Sequence, residues 1–81
     1  MYVMDNGTDA NRIGISASKK IGNSVIRHTM ARLIRESFRL NLPSMQKGYD
    51  IVVIVRQPAV SLRYDGINTA FTDLAKRHNI I

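Results

Sequence analysis

One uninterrupted apolar run, residues 51–55 (IVVIV), constrains the fold of this chain more than any other segment. β-Branched residues favour an extended strand, and the lack of polar alternation predicts that both faces of that strand are covered. The run is too short to cross a bilayer, which takes about 20 apolar residues in a helix. We therefore predict a buried central strand over residues 49–56 of a soluble domain.

Two further strands and two helices are predicted around that strand. Residues 1–4 and 12–18 are expected to be strands, and Asn6-Gly7 between them is a turn signal that predicts a hairpin. A helix is predicted over residues 23–40, with Asn23 or Ser24 as its N-cap, and a second helix over residues 65–78. This order predicts an α+β fold of two layers, in which the helices pack on a small mixed β-sheet.

The net charge of +6 comes entirely from residues 12–39. That segment holds seven of the 12 lysine and arginine residues but only one of the six acids, Glu36. A charge confined to one segment indicates a surface for a polyanion. The chain has 81 residues and no cysteine, which is consistent with one small domain in a reducing cytoplasm.

The first predicted helix separates apolar residues from cationic ones at about 100° per residue. The only nearby acid, Glu36, is placed to pair with Arg32 at i,i+4, so most of the cations have no acidic partner in sequence. Arginine binds phosphate through two parallel hydrogen bonds, which favours phosphate contact over a merely solvated face. The predicted apolar side comprises Ile26, Met30, Leu33, Ile34, Phe38 and Leu40, and the cationic side comprises Arg27, Arg32, Arg35 and Arg39.

Lys19 and Lys20 lie between a predicted strand and the start of this helix. Free backbone amides and the helix dipole favour an anion at such a position, so a phosphate contact is predicted. The segment is not a nucleotide-binding P-loop, because residues 14–20 lack the second glycine before the lysine. His28 falls within the basic arc, where it can stack on a base or donate to phosphate.

No catalytic or metal-binding group is visible in the sequence. Neither His28 nor His78 has a carboxylate or nucleophile partner, and Asp50 is expected to accept a hydrogen bond from a nearby amide or cation. These observations predict a nucleic-acid-binding protein without catalytic residues or metal ligands. The alternative to an RNA-binding subunit is a DNA-binding regulatory module, which the absence of a helix-turn-helix pair disfavours.

Residues 12–28 (RIGISASKKIGNSVIRH) closely resemble the signature of the bacterial ribonuclease P protein component, and the resemblance continues through residues 32–36. Residues 48–56 (GYDIVVIVR) are similar to the last strand of that family. The resemblance implies a small basic cofactor of a catalytic RNA, which removes the 5′ leader from precursor tRNA. It also implies that the RNA carries the chemistry with Mg²⁺, that the protein alone holds no cofactor, and that its partners are the catalytic RNA and precursor tRNA in the cytoplasm.

The resemblance also implies residue roles and a topology. It implies a left-handed crossover between two parallel strands through the basic helix, contrary to the usual handedness. Arg27-His28-Thr29 stands where the family has Arg-Asn-Arg, and Ala31 replaces a common basic residue, which is expected to weaken phosphate contact there. The residues expected to bind RNA are Arg12, Ser18, Lys19, Lys20, Asn23, Arg27, His28, Arg32, Arg35 and Arg39.

Members of that family normally begin with a helix and a further strand ahead of the strands predicted for this chain. Residues 1–81 are therefore expected to be a single RNA-binding domain without those two elements, with incomplete binding of the precursor leader. The sheet edge and apolar surface that these elements would cover are expected to promote self-association.

Overall fold

The computed structural model describes all 81 residues, except for the side chains of Pro58 and Ser61. Three strands form one sheet, two helices pack on it, and three short 3₁₀ helices lie in the connections. The α+β fold and its two layers are as predicted. The strands are β1 (Tyr2–Asp5), β2 (Arg12–Ser16) and β3 (Tyr49–Ile54), the helices are α1 (Ser24–Asn41) and α2 (Tyr64–Arg77), and the 3₁₀ helices are Lys19–Ile21, Leu42–Ser44 and Gln57–Ser61.

The apolar strand β3 lies at the centre of the sheet, in the order β1-β3-β2. It is antiparallel to β1 and parallel to β2, so that Val3 and Ile13 flank Ile51 on either side. The predicted hairpin is wrong, because β3 lies between β1 and β2. Asn6-Gly7 still forms a local reversal, in which Gly7 takes a φ of 72° and the Asn6 side chain accepts a hydrogen bond from the Thr8 amide.

The parallel pairing of β2 with β3 makes α1 the crossover between them. A parallel pair requires such a crossover, because a tight turn reverses the chain direction. The predicted route through the basic helix is therefore confirmed, whereas its left-handedness stays a prediction.

Both helices lie on the same face of the sheet. Ile51 and Val55 are almost fully buried and cluster with residues of α1 and α2. Val52 and Ile54 point to the opposite face, where Ile54 is 39% exposed. The prediction that both faces of β3 are covered is therefore wrong, although the strand is central.

A polar cluster and an aromatic pair fix the packing of α1 against α2. Ser37 is completely buried and its hydroxyl donates to the side-chain oxygen of Asn68 at 2.6 Å. The Asn41 amide donates to the same oxygen at 3.0 Å. Phe38 and Phe71 meet edge to face, with ring centroids 6.4 Å apart. These contacts set the rotation of α1 about its axis, and hence which of its residues face solvent.

The ends of α1 follow from local sequence signals. The side-chain oxygen of Asn23 accepts a hydrogen bond from the Ile26 amide at 3.0 Å, which confirms the predicted N-cap. Pro43 lies in the 3₁₀ turn that follows the helix. Leu40 was predicted on the packed side but is 62% exposed, because it lies about 90° around the helix from the centre of the buried face.

Candidate nucleic-acid interface

The 3₁₀ helix Lys19–Ile21, which we call the lysine turn, joins the end of β2 to the start of α1. Gly22 closes this turn with a φ of 151°, and a Cβ there would lie 2.8 Å from Cδ1 of Ile26. Only glycine allows the turn to approach the helix so closely. Lys19 and Lys20 are consequently held, exposed, at the N-terminus of α1 as predicted.

The solvent side of α1 carries three further arginines, with His28 beside them. We call this surface, formed by His28, Arg32, Arg35 and Arg39, the cationic face; all four residues are exposed. It lies opposite the buried residues of the helix. Among the described side chains, Arg32 and Arg35 form no ion pair with a carboxylate. Their charge is thus available to an external anion.

Two details of the predicted cationic side are wrong. Glu36 pairs with Arg39, at 3.7 Å, instead of Arg32, because the i+3 neighbour is also within reach on a helix surface. Arg27 is half-buried, and its Nε is buried without a hydrogen-bond partner among the described groups. It lies seven residues before buried Ile34, which places it at the border of the packed side rather than within the cationic face.

Arg12 lies at the other end of β2, where its charge is compensated. Its Nε and Nη2 donate to the two carboxylate oxygens of Asp50, each at 2.8 Å, and Asn6 donates to the same carboxylate at 3.1 Å. Hydrogen bonds from Arg12 and then Asn6 hold the pKa of Asp50 below its usual value, and Asp50 in turn raises the pKa of Arg12. Asp50 is therefore the structural acceptor that the sequence predicted.

The sheet register brings Arg56, which is not among the predicted RNA-binding residues, to the same end of the molecule as the lysine turn. Ser16 is opposite Ile54, and the Ser16 carbonyl accepts a hydrogen bond from the Val55 amide at 2.9 Å. The segments that follow these two strands then contact each other. A count of charge along the chain could not show this. The signal that could have shown it is the parallel pairing of β2 with β3.

The lysine turn and the cationic face are suited to binding phosphates rather than to catalysing a reaction at them. Within the described part of the chain, no three His, Cys, Asp or Glu side chains are grouped so that they could hold a metal ion. The helix α1 follows a single 3₁₀ turn and precedes β3, so it is not part of a helix-turn-helix pair.

Neither described helix is long and apolar enough to span a membrane.

Comparison with known sequences gives one consistent result. A model of the family described as "Ribonuclease P" matches residues 1–79. The chain is 51% identical to the ribonuclease P protein component of Lachnoclostridium phytofermentans, over 100% of this chain and 70% of that protein. It is 42% identical to the protein of the same name from Alkaliphilus oremlandii, over 100% of this chain and 71% of the relative.

Solved structures of similar proteins have the same fold. The ribonuclease P protein of Staphylococcus aureus is 36% identical and superposes with a TM-score of 0.87, covering 98% of this chain and 72% of its own. The corresponding protein of Thermotoga maritima is 33% identical with a TM-score of 0.85, covering 93% of this chain and 72% of its own.

Proposed function

The chain belongs to the ribonuclease P protein family, and from that premise we propose that the lysine turn and the cationic face form its RNA-binding surface. It is a protein subunit of a ribonucleoprotein endoribonuclease that acts in tRNA processing, by removing the 5′ leader from precursor tRNA. Its partners are a catalytic RNA and the precursor, and catalysis is carried by the RNA.

The observation that supports this surface most is the lack of acidic partners around four of its cations. Lys19, Lys20, Arg32 and Arg35 are exposed, and none is within ion-pair distance of a carboxylate among the described residues. Such a cluster repels itself in the free protein and is stabilised by phosphates. The α1 N-terminus beside the lysine turn adds free amides for the same kind of ligand.

Some of the other residues proposed to bind RNA also make contacts within the protein, and we expect these contacts to reduce their contribution to RNA affinity. Asn23 caps α1, Arg39 pairs with Glu36, and Arg12 pairs with Asp50. Ser18 and His28 are exposed beside the main group, and Arg27 lies at its border. The full proposed set remains Arg12, Ser18, Lys19, Lys20, Asn23, Arg27, His28, Arg32, Arg35 and Arg39.

The contribution of this chain to the reaction is electrostatic and geometric. Unpaired cations neutralise phosphates where the catalytic RNA and the precursor approach each other, which lowers the repulsion between the two RNAs. We propose that Mg²⁺, which supplies the hydrolytic chemistry, is held mainly by the partner RNA. The described side chains of this protein offer no cluster that fits it.

Cleavage of precursor tRNA at limiting Mg²⁺ tests this function. The cognate catalytic RNA is assayed alone, with this chain, and with the variant in which Arg32 and Arg35 are both glutamate. We expect the wild-type chain to accelerate cleavage and the variant to fail, since the variant reverses the charge that offsets phosphate repulsion. Cleavage by the protein without RNA would contradict the proposal, as would equal acceleration by the variant.

We further propose that residues 1–81 act as one RNA-binding domain in the cytoplasm and that this domain self-associates through the open side of its sheet. The outer edge of β1 is unpaired, and the exposed side chains of Tyr2, Met4 and Ile54 lie on the sheet face away from the helices. Unpaired edges and apolar faces are the features that promote pairing of copies. A monomer at high concentration in analytical ultracentrifugation would contradict the self-association.

A further inference from the structure

The first turns of α1 line two adjoining depressions that differ in chemistry. One part is a depression of about 440 Å³ beside the cationic face. The other is an apolar hollow of about 310 Å³ between α1 and the segment that precedes α2. Val25 and Thr29 line both depressions, which therefore adjoin each other, and we call the two together the α1 groove. The polar part is lined by Ser24, Val25, His28, Thr29 and Arg32, and the apolar part by Val25, Ile26, Thr29, Met30, Leu33, Val60 and Leu62.

Phosphate binding alone does not account for Val25. This side chain is 71% exposed in the first turn of α1, beside the cations, and Leu62 in the same groove is 40% exposed. A single exposed apolar residue is ordinary, but two that line one groove offer a surface that gains free energy when covered. Phosphate is fully polar, so it cannot bury the apolar side chains of Val25 and Leu62. The groove therefore fits a ligand that is partly apolar.

The polar part of the groove supplies two flat groups and no negative charge. His28 and Arg32 lie one helical turn apart and both are exposed. The hydroxyl of Thr29 is already engaged, because it donates to the Val25 carbonyl at 2.9 Å. Imidazole and guanidinium planes stack on unpaired bases, and a base presents an apolar face together with a polar edge.

We propose that the α1 groove accepts one unstacked nucleobase of the bound RNA, which covers Val25 and stacks on His28. The proposal rests on the proposed function, since it places the groove within the RNA-binding surface. Charge complementarity favours RNA over a protein segment, because the groove adjoins the unpaired cations of α1 and contains no carboxylate.

Paired substitutions at two exposed apolar residues of α1 test the base contact. Val25→Ser changes the groove, whereas Leu40→Ser changes a residue that is 62% exposed and outside it. Affinity for the cognate catalytic RNA is measured as a function of salt. We expect V25S to weaken binding roughly five- to tenfold at every salt concentration, with an unchanged salt slope, because no phosphate contact is lost. The L40S variant should bind like the wild type.

Substitutions at His28 separate stacking from phosphate contact. His28→Phe keeps a flat ring but removes the hydrogen-bond donor, so it should retain the affinity within about twofold, whereas His28→Ala should weaken it as V25S does. Wild-type affinity of V25S would overturn the proposal. Equal losses of affinity in H28F and H28A would indicate that His28 contacts only phosphate. Equal losses in V25S and L40S would indicate a general apolar contact. Either result would overturn the proposed base contact. In all three cases a steep wild-type salt slope would leave the proposed RNA-binding function intact.

Discussion

Arg12 and Arg32 belong to the same basic segment of the sequence, yet the fold gives them opposite surroundings. Arg12 is held by both oxygens of Asp50, at 2.8 Å each, near the loop that joins β1 to β2. Arg32 is exposed on α1 without a carboxylate partner among the described residues. The two arginines carry the same charge and differ in whether a carboxylate compensates it. We infer that the uncompensated cations, not the whole basic segment, set the affinity for RNA.

The largest effect is expected from reversing charge on the cationic face. Changing both Arg32 and Arg35 to glutamate should weaken binding to the catalytic RNA by at least about 100-fold, because each charge-assisted hydrogen bond contributes roughly 1.5–3 kcal/mol. Binding is measured by filter retention at fixed salt. The matched control changes Lys47 and Lys76, both exposed and off α1, to glutamate and alters the net charge equally. Equal losses in the two variants would mean that only net charge matters.

A smaller effect is expected at the junction of the lysine turn and α1. Asn23→Ala removes the acceptor for the Ile26 amide and should lower the free energy of unfolding by about 1 kcal/mol. It should also loosen the lysine turn and weaken RNA binding several-fold. Asn23→Ser keeps an acceptor and serves as the control in denaturant unfolding and binding. If Asn23→Ala has the same free energy of unfolding as the wild type, the Asn23 cap does not stabilise α1.

Neutralising the compensated cation should matter less than neutralising an uncompensated one. Arg12→Gln is expected to lower RNA affinity less than about threefold, because the Asp50 carboxylate already offsets that charge. Arg35→Gln should lower it about tenfold under the same conditions. An Arg12→Gln variant that binds as weakly as Arg35→Gln would break the distinction between the two regions.

The smallest effect is expected from the acid titration of Asp50. Hydrogen bonds from Arg12 and Asn6 hold its pKa below 3.8, the usual value. Its contribution to stability is therefore full above that value and is lost as the pH falls through the lower pKa of the folded state. Asp50→Asn should flatten the dependence of the unfolding free energy on pH below about pH 4. Parallel curves for variant and wild type, followed by circular dichroism, would contradict this role.

Local patterns in the sequence predict most of the fold. The N-cap at Asn23, the central position of β3 and both helices follow from short-range signals and are confirmed. The hairpin prediction failed because a turn signal at Asn6-Gly7 describes a change of direction, whereas the pairing partner is chosen by contacts distant in sequence. The open face of β3 was missed because Val52 and Ile54 are apolar whether or not a layer covers them.

The sequence predicts which residues form the candidate site, but it does not predict which of their charges a carboxylate compensates. Helical spacing places Arg32, Arg35 and Arg39 together, as the structure confirms. The partner of Arg12 is 38 residues away, and no spacing rule reveals it. The exposed position of Val25 was likewise hidden, because an apolar residue beside a helix start is expected to pack. Contacts between residues distant in sequence therefore decide which cations have a carboxylate partner and which do not.

Contact between the cationic face and the RNA backbone makes binding depend steeply on salt. If about six phosphates are contacted, the logarithm of affinity should fall with the logarithm of salt concentration at a slope of roughly −4 to −5. Changing Arg32 and Arg35 to glutamine should make the slope shallower by about 1.5, whereas the same changes at Lys47 and Lys76 should leave it unaltered. Identical slopes for the wild type and the Arg32 and Arg35 variant would contradict the claim that the cationic face of α1 binds the RNA backbone.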